Sequence, residues 1–122
     1  MIIGIGTDIV EISRIAKLLE KNEDIFLNRV FSKREIAQAP TIPLRRAEYF
    51  AGRWAAREAA AKALGCGFCS DCTAYDFEII GNEAGAPCLT GSSSLIPRGA
   101  VWHLSISHDG GFAIAFVILE KN

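Results

Sequence analysis

Four side chains of this sequence have types and surroundings that could do chemistry. Asp8 closes an apolar, glycine-spaced stretch running from Met1 to Val10, where an ionised carboxylate needs a cation, a hydrogen-bonding partner or solvent. It can serve a metal or phosphate site, or it can join Glu11, three residues on, in capping the helix that follows. Glu58 and Lys62 stand four residues apart, in line with Trp54. As a solvated helical pair they would contribute only about 0.3–0.5 kcal/mol. Ala55, Ala56, Ala59, Ala60 and Ala61 surround them, however, and describe a closely packed helix rather than a solvated one. His108 follows Trp102, Leu104 and Ile106 at alternate positions, so it is either a satisfied histidine at a strand end or a residue that meets a ligand.

The remaining signals are weaker. Arg14, Lys17 and Lys21 recur on one helical face, a pattern that suits a solvated surface or an acidic partner. Gly4-Ile5-Gly6 lacks the third glycine of a dinucleotide fingerprint, and the sequence holds no P-loop. Cys66, Cys69 and Cys72 form a close run with Cys88 set apart. An iron–sulfur run would want a fourth close cysteine followed by proline, and structural zinc a second close pair. Free thiols in a loop are therefore the expectation, and the spacing suits intracellular chemistry better than a secreted disulfide framework.

The elements that must position these residues follow from periodicity. Met1 to Val10 reads as a strand with Ile3, Ile5, Thr7 and Ile9 on one face and Gly4, Gly6 and Asp8 on the other. Ile12, Ile15 and Leu19 predict a first helix ending near Asn22. Ser32 and Glu35 form a capping box for a short second helix, stopped by the stretch from Pro40 to Pro43. Leu44 to Leu64 predicts a long helix, with Gly65 where a left-handed residue belongs. Beyond the cysteines the period changes to two, predicting strands over 74–80, 88–90, 101–107 and 112–119, with Asp109-Gly110-Gly111 closing the last hairpin. Helices followed by mostly antiparallel strands make an α+β fold, and 122 residues suffice for a single domain over 1–122.

Charge and hydropathy exclude several classes. The formal charge is −1, but residues up to Lys62 carry eleven Lys and Arg against eight Asp and Glu. Later residues carry two against six. That pattern is too weakly basic for a nucleic-acid binder and fits a small anionic ligand or an acidic protein. The longest apolar run, Gly111 to Leu119, is far short of the roughly 20 residues of a membrane span. With no basic leader at Met1, a cytoplasmic location and no membrane partner are expected.

Together, several segments resemble one family in its order. They are Gly4 to Ile12 with Arg14-Ile15, Phe50 to Ala59 with Lys62 to Gly65, Asn82 with Gly85-Ala86-Pro87, and His103 to His108. They resemble the holo-acyl carrier protein synthases, small trimeric 4′-phosphopantetheinyl transferases, over residues 2 to about 120. Arg57 departs from the pattern, standing where that family usually has Lys. The cysteine-rich loop also differs from the family's Gly-, Ser- and Thr-rich turn.

The resemblance implies the 4′-phosphopantetheinyl transferase fold and a reaction. 4′-Phosphopantetheine would pass from coenzyme A to a serine of an acidic apo-acyl carrier protein, releasing adenosine 3′,5′-bisphosphate in support of fatty acid biosynthesis. By the same analogy Asp8 and Glu58 hold Mg²⁺, and Lys62 neutralises charge on the reacting phosphate. Arg53 and His108 contact coenzyme A phosphates, while Gly65 and Pro87 shape its pocket. Arg14, Lys17, Lys21 and Phe26 dock the carrier protein, and the sites are shared between the chains of a homotrimer.

Overall fold

A computed structural model describes residues 1–122. The chain opens with β1 (Ile2–Glu11) and runs through α1 (Ile12–Val30), α2 (Lys33–Gln38) and α3 (Pro43–Ala63). A 3-10 turn at Ala74–Asp76 precedes β2 (Phe77–Gly81), β3 (Pro87–Gly91), β4 (Val101–Asp109) and β5 (Phe112–Glu120). The α+β expectation holds. One sheet has the order β1-β5-β4 and the other pairs β2 with β3, and every pairing is antiparallel. No helix is long and apolar enough to cross a membrane.

α3 lies across the inner face of the larger sheet, and its composition explains how closely. Ala51, Ala55, Ala59 and Ala60 are all fully buried, and Ala113, Ala115 and Val117 of β5 face them. On β1 the inner positions are glycines. A Cβ built on Gly4 would land on the carbonyl oxygen of Ala63, and one on Gly6 on that of Ala59, so strand and helix touch backbone to backbone. Gly52 instead makes room for a side chain of β4, because a Cβ there would meet Ile106 Cγ2 at 2.8 Å. The outer face of the sheet keeps Ile3, Ile5, Ile9, Phe112, Ile114 and Phe116 between 42% and 62% exposed.

Three expectations change. Ala74–Asp76 form a 3-10 turn, so the strand expected from Ala74 begins only at Phe77. The first helix does not end near Asn22. That residue leaves helical geometry (φ −151°, ψ 61°), and the helix then resumes to Val30 because Leu27 and Val30 still find the core. Nor does Asp8 cap it: Glu11 holds the N-cap position and makes no side-chain capping bond. The capping box of α2 forms as read, with Ser32 Oγ accepting from Glu35 N at 3.1 Å and Glu35 Oε1 from Ser32 N at 2.8 Å. Gly110 and Gly111 close the β4–β5 hairpin with φ of +58° and +85°, both left-handed as a two-residue turn of this twist requires.

The largest fully buried side chain is Arg57. Its Nη1 and Nη2 grip Glu35 at 2.9 and 2.5 Å. The other donors reach the carbonyls of Ala74 (2.9 Å), Phe77 (2.7 Å) and Arg53 (3.3 Å). Glu35 in turn accepts from Ile79 N at 3.0 Å, which ties α2 and α3 to β2.

Gly6→Ala should lower stability by about 1–3 kcal/mol, as overpacking of a closed interface does. Urea unfolding would read the loss as a lower midpoint with an unchanged slope, and an unchanged midpoint would mean that β1 can lift from α3 at no cost.

Candidate active site

β1 and α3 bring three of the expected residues together. Asp8 shares the inner face of β1 with Gly4 and Gly6, so the glycine contact that seats the strand on α3 carries its carboxylate to the helix. Lys62 Nζ donates to Asp8 Oδ1 at 3.3 Å and to the Thr7 carbonyl at 3.0 Å. Glu58 is half-buried one turn earlier on α3. Burial pushes its carboxyl above the ordinary range, the Asp8 carboxylate pushes it further, and Lys62 and Arg14 pull it back. Two carboxylates close enough to repel and an ammonium still half exposed describe a place where anionic and cationic groups of a ligand can both be met.

A divalent cation fits this set. Nowhere do three or more His, Cys, Asp or Glu gather as a metal site. A hard ion at Asp8 and Glu58 would therefore take two protein oxygens and complete its shell with water and phosphate, the way Mg²⁺ is usually held.

Arg53 and His108 meet elsewhere on α3. With Arg45 and Tyr49 they line a hollow of about 390 Å³, in which His108 Nδ1 lies 3.3 Å from Glu48 Oε2. The Arg53 guanidinium sits 3.7 Å over the Tyr49 ring and donates from Nε to the Ile79 carbonyl at 3.2 Å. At about 100° per residue, Arg53 is turned about 140° round the helix from Glu58 and about 180° from Lys62. The two groups thus occupy opposite sides of α3.

The other expected residues are spread out. Gly65 follows the C-cap of α3 with φ +83°, and Pro87 opens β3 opposite Gly81 in the smaller sheet. Asn82, quoted with Gly85 to Pro87 in the resemblance, holds the β2–β3 turn by accepting from Ala86 N at 3.0 Å. Arg14, Lys17 and Lys21 are exposed along α1. Phe26 turns inward, its ring 5.7 Å from Phe31 and 6.3 Å from Trp54, whereas Ile25 is 55% exposed beside Leu18.

Comparison with known proteins gives the family. A family model described as the 4′-phosphopantetheinyl transferase superfamily matches residues 4–117. The chain belongs to that superfamily. It is 44% identical over 122 residues to the holo-[acyl-carrier-protein] synthase of Geobacillus kaustophilus, covering 99% of this chain and 91% of that one. It is 45% identical to the synthase of Solidesulfovibrio magneticus, over 98% of this chain and 99% of the relative. Among transferases of known structure, the Helicobacter pylori synthase in complex with coenzyme A superposes with a TM-score of 0.85 at 35% identity, covering 95% and 99% of the two chains. The Bacillus anthracis synthase in complex with coenzyme A (3′,5′-ADP) gives 0.82 at 37%, covering 100% and 99%.

Sequence reasoning missed Arg45, Tyr49 and Glu48 beside His108, and Ile25 on α1. Arg45, Tyr49 and Arg53 recur at i, i+4 and i+8, which places them on one helical stripe. That signal was available. Ile25 was hidden by ending α1 at Asn22.

Asp8→Asn should lower the titration midpoint of Glu58, since it removes the negative neighbour and leaves only burial to raise it. Carboxyl-carbon NMR across an acid titration reads this directly, and an unmoved midpoint would separate the two carboxylates. The sign for folding also follows. A carboxyl with a raised folded pKa stabilises the chain when protonated, and that contribution is lost as pH climbs through the raised value.

Proposed function

We propose that this chain transfers 4′-phosphopantetheine from coenzyme A to a serine of an apo-acyl carrier protein, yielding the holo form and adenosine 3′,5′-bisphosphate. The observation that carries this reading is the convergence of Asp8, Glu58 and Lys62 at the β1–α3 contact, in a chain whose relatives are named holo-[acyl-carrier-protein] synthases. Two relatives of known structure are complexes with coenzyme A.

Phosphoryl transfer asks a protein chiefly to position groups and offset charge. Asp8 and Glu58 would hold Mg²⁺, which supplies positive charge against the pyrophosphate. Lys62 keeps Asp8 and the Thr7 carbonyl as partners and is half exposed, so its ammonium can turn a donor to the reacting phosphate. The serine oxygen attacks the β-phosphorus as the bond to the adenosine bisphosphate breaks. Glu58 would receive the serine proton directly or orient a metal-bound water that does. Arg53 and His108 would take coenzyme A phosphates in their own hollow, with Gly65 and Pro87 shaping the pocket. Arg14, Lys17 and Lys21 would steer the acidic carrier protein, with Phe26 beneath the exposed Leu18 and Ile25.

The reading includes a homotrimer of single-domain chains working in the cytoplasm for fatty acid biosynthesis. Two observations support assembly. The Arg53–His108 hollow and the Glu58–Lys62 side of α3 face apart, so one ligand contacts both sets most simply across a boundary between copies. The exposed Ile and Phe side chains of the outer sheet face give such copies apolar area to bury.

Incubating apo-carrier protein with this chain, coenzyme A and Mg²⁺ should add one phosphopantetheine group to a serine, read by intact-mass spectrometry. No added mass, or nucleotide consumption without a carrier protein, would overturn the transfer. Glu58→Gln should nearly abolish turnover, as should His108→Ala. Mixing the two inactive variants under subunit exchange should then restore activity, because some boundaries pair an intact Glu58 with an intact His108. Confirmed exchange without recovered activity would place both residues in one site within one chain.

A further inference from the structure

The guanidinium of Arg53 is constrained in two independent ways. Tyr49 stands one turn earlier on α3, on the same helical stripe, and Arg53 Cζ lies over its ring at 3.7 Å. At that separation a planar guanidinium stacks on the ring, which sets its plane. The Nε bond to the Ile79 carbonyl, at 3.2 Å, sets its rotation within that plane. The Nη edge then has one direction left. Nε is the one donor of this fork that the chain itself engages, so both Nη groups are left for the hollow that Arg53 and His108 line.

Both constraints return to Glu35 of α2. Its carbonyl belongs to the last turn of that short helix, where carbonyls lack a partner within the helix, and the Tyr49 hydroxyl donates to it at 2.6 Å. Its Oε2 accepts from Ile79 N at 3.0 Å, on the residue whose carbonyl takes Arg53 Nε. Glu35 cannot shift easily, because it is fully buried and held by both Arg57 and Ser32 N. The Tyr49 ring is thus pinned at its hydroxyl, and it also packs edge-on against Phe50 with centroids 5.0 Å apart. Burial pulls the Arg53 pKa below its usual value. A charge held partly out of water in this way makes stronger bonds to a ligand.

We propose that Tyr49 is a positioning residue for the coenzyme A phosphate that Arg53 takes, its hydroxyl bond to the Glu35 carbonyl holding the ring on which the guanidinium lies. An arginine fork already oriented can meet two phosphate oxygens together. One that must first be ordered loses roughly 2- to 12-fold in affinity. Tyr49 acts through Arg53 on binding and not on the step at phosphorus, which Asp8, Glu58 and Lys62 serve on the other side of α3. That the ligand is a coenzyme A phosphate rests on the function proposed above; that Tyr49 holds Arg53 does not.

The test compares the full chain with Tyr49→Phe, Tyr49→Leu, Arg53→Leu and the double variant Tyr49→Phe/Arg53→Leu. Calorimetry reads the Kd for coenzyme A, and steady-state kinetics read kcat and the KM for each substrate. Tyr49→Phe keeps the ring and removes only the hydroxyl, so Kd and KM for coenzyme A should rise about 2- to 12-fold while kcat and the carrier-protein KM hold. Tyr49→Leu, which also removes the ring face, should raise them further. With Arg53 already replaced, Tyr49→Phe should change nothing more, as action through Arg53 requires. Unchanged coenzyme A affinity in Tyr49→Phe, or an equal loss in the absence of Arg53, would overturn the positioning. A fall in kcat together with a rise in both KM values would mark a merely structural role and overturn it as well. NMR of the Arg53 Nε–H group in the free chain separates the two readings. Its exchange with water should quicken in Tyr49→Phe, and an unchanged rate would mean that Tyr49 does not hold the guanidinium. Coenzyme A affinity untouched by Arg53→Leu would instead remove Arg53 from the proposed function, while the NMR still decides whether Tyr49 fixes it.

Discussion

The contact between the backbones of β1 and α3 is the constraint from which the site follows. Side chains normally hold a helix about 10 Å from the sheet it covers. Here Gly4 and Gly6 remove them from the strand, while Ala59 and Ala63 present only backbone at the points of contact. Strand periodicity then leaves Asp8 as the next inward position. It arrives beside a helix surface so close that a short carboxylate reaches Lys62 and raises the proton affinity of Glu58. A larger residue at Gly4 or Gly6 would lift the strand and separate charges that are far apart in sequence.

A second constraint fixes the rotation of α3. Arg57 neighbours Glu58 in sequence but lies about 100° away round the helix, and it points into the protein. Its five N–H donors find five acceptors: both Glu35 oxygens and the carbonyls of Arg53, Ala74 and Phe77. A lysine, with three donors on one nitrogen, could not fill this fork. Such a pair adds little stability over a packed apolar core, yet losing one partner costs about 3–5 kcal/mol because the other charge is stranded. The pair's effect is on geometry: with Arg57 locked inward, Glu58 and Lys62 have only one direction left to face.

These two constraints explain what was legible in the sequence. Alternation on β1 was readable because strand faces differ by parity alone, and Asp8, Gly4 and Gly6 fell on one face as the structure has them. The capping box of α2, the extent of α3 to within a residue or two, and the glycine hairpin before β5 were equally local. Contacts distant in sequence were not legible. Glu35 reads as a capping residue, and nothing near it announces that its carboxylate also closes over Arg57. Asn22 looks like a helix end because its neighbours are polar, but Leu27 and Val30 draw the chain back into register once the core is present. The family motif brought Arg53, His108, Glu58 and Lys62 to attention together, yet only helical geometry reveals that they look away from one another.

That opposition gives the fold its economy. A helix is about 10–12 Å across with its side chains, so a ligand held by both sides of one α3 would have to wrap round it through space already filled by β1 and β4. Placed against a second copy, each helix can offer its carboxylate side to one ligand and its Arg53 side to another. The exposed Ile3, Ile5, Ile9, Phe112, Ile114 and Phe116 then have a physical purpose, since apolar alternation on both faces of the sheet is costly for a lone chain and favourable for an assembled one. The same residues that make the monomer's surface uncomfortable would therefore hold the two halves of each site in register, and assembly and catalysis would depend on one sheet.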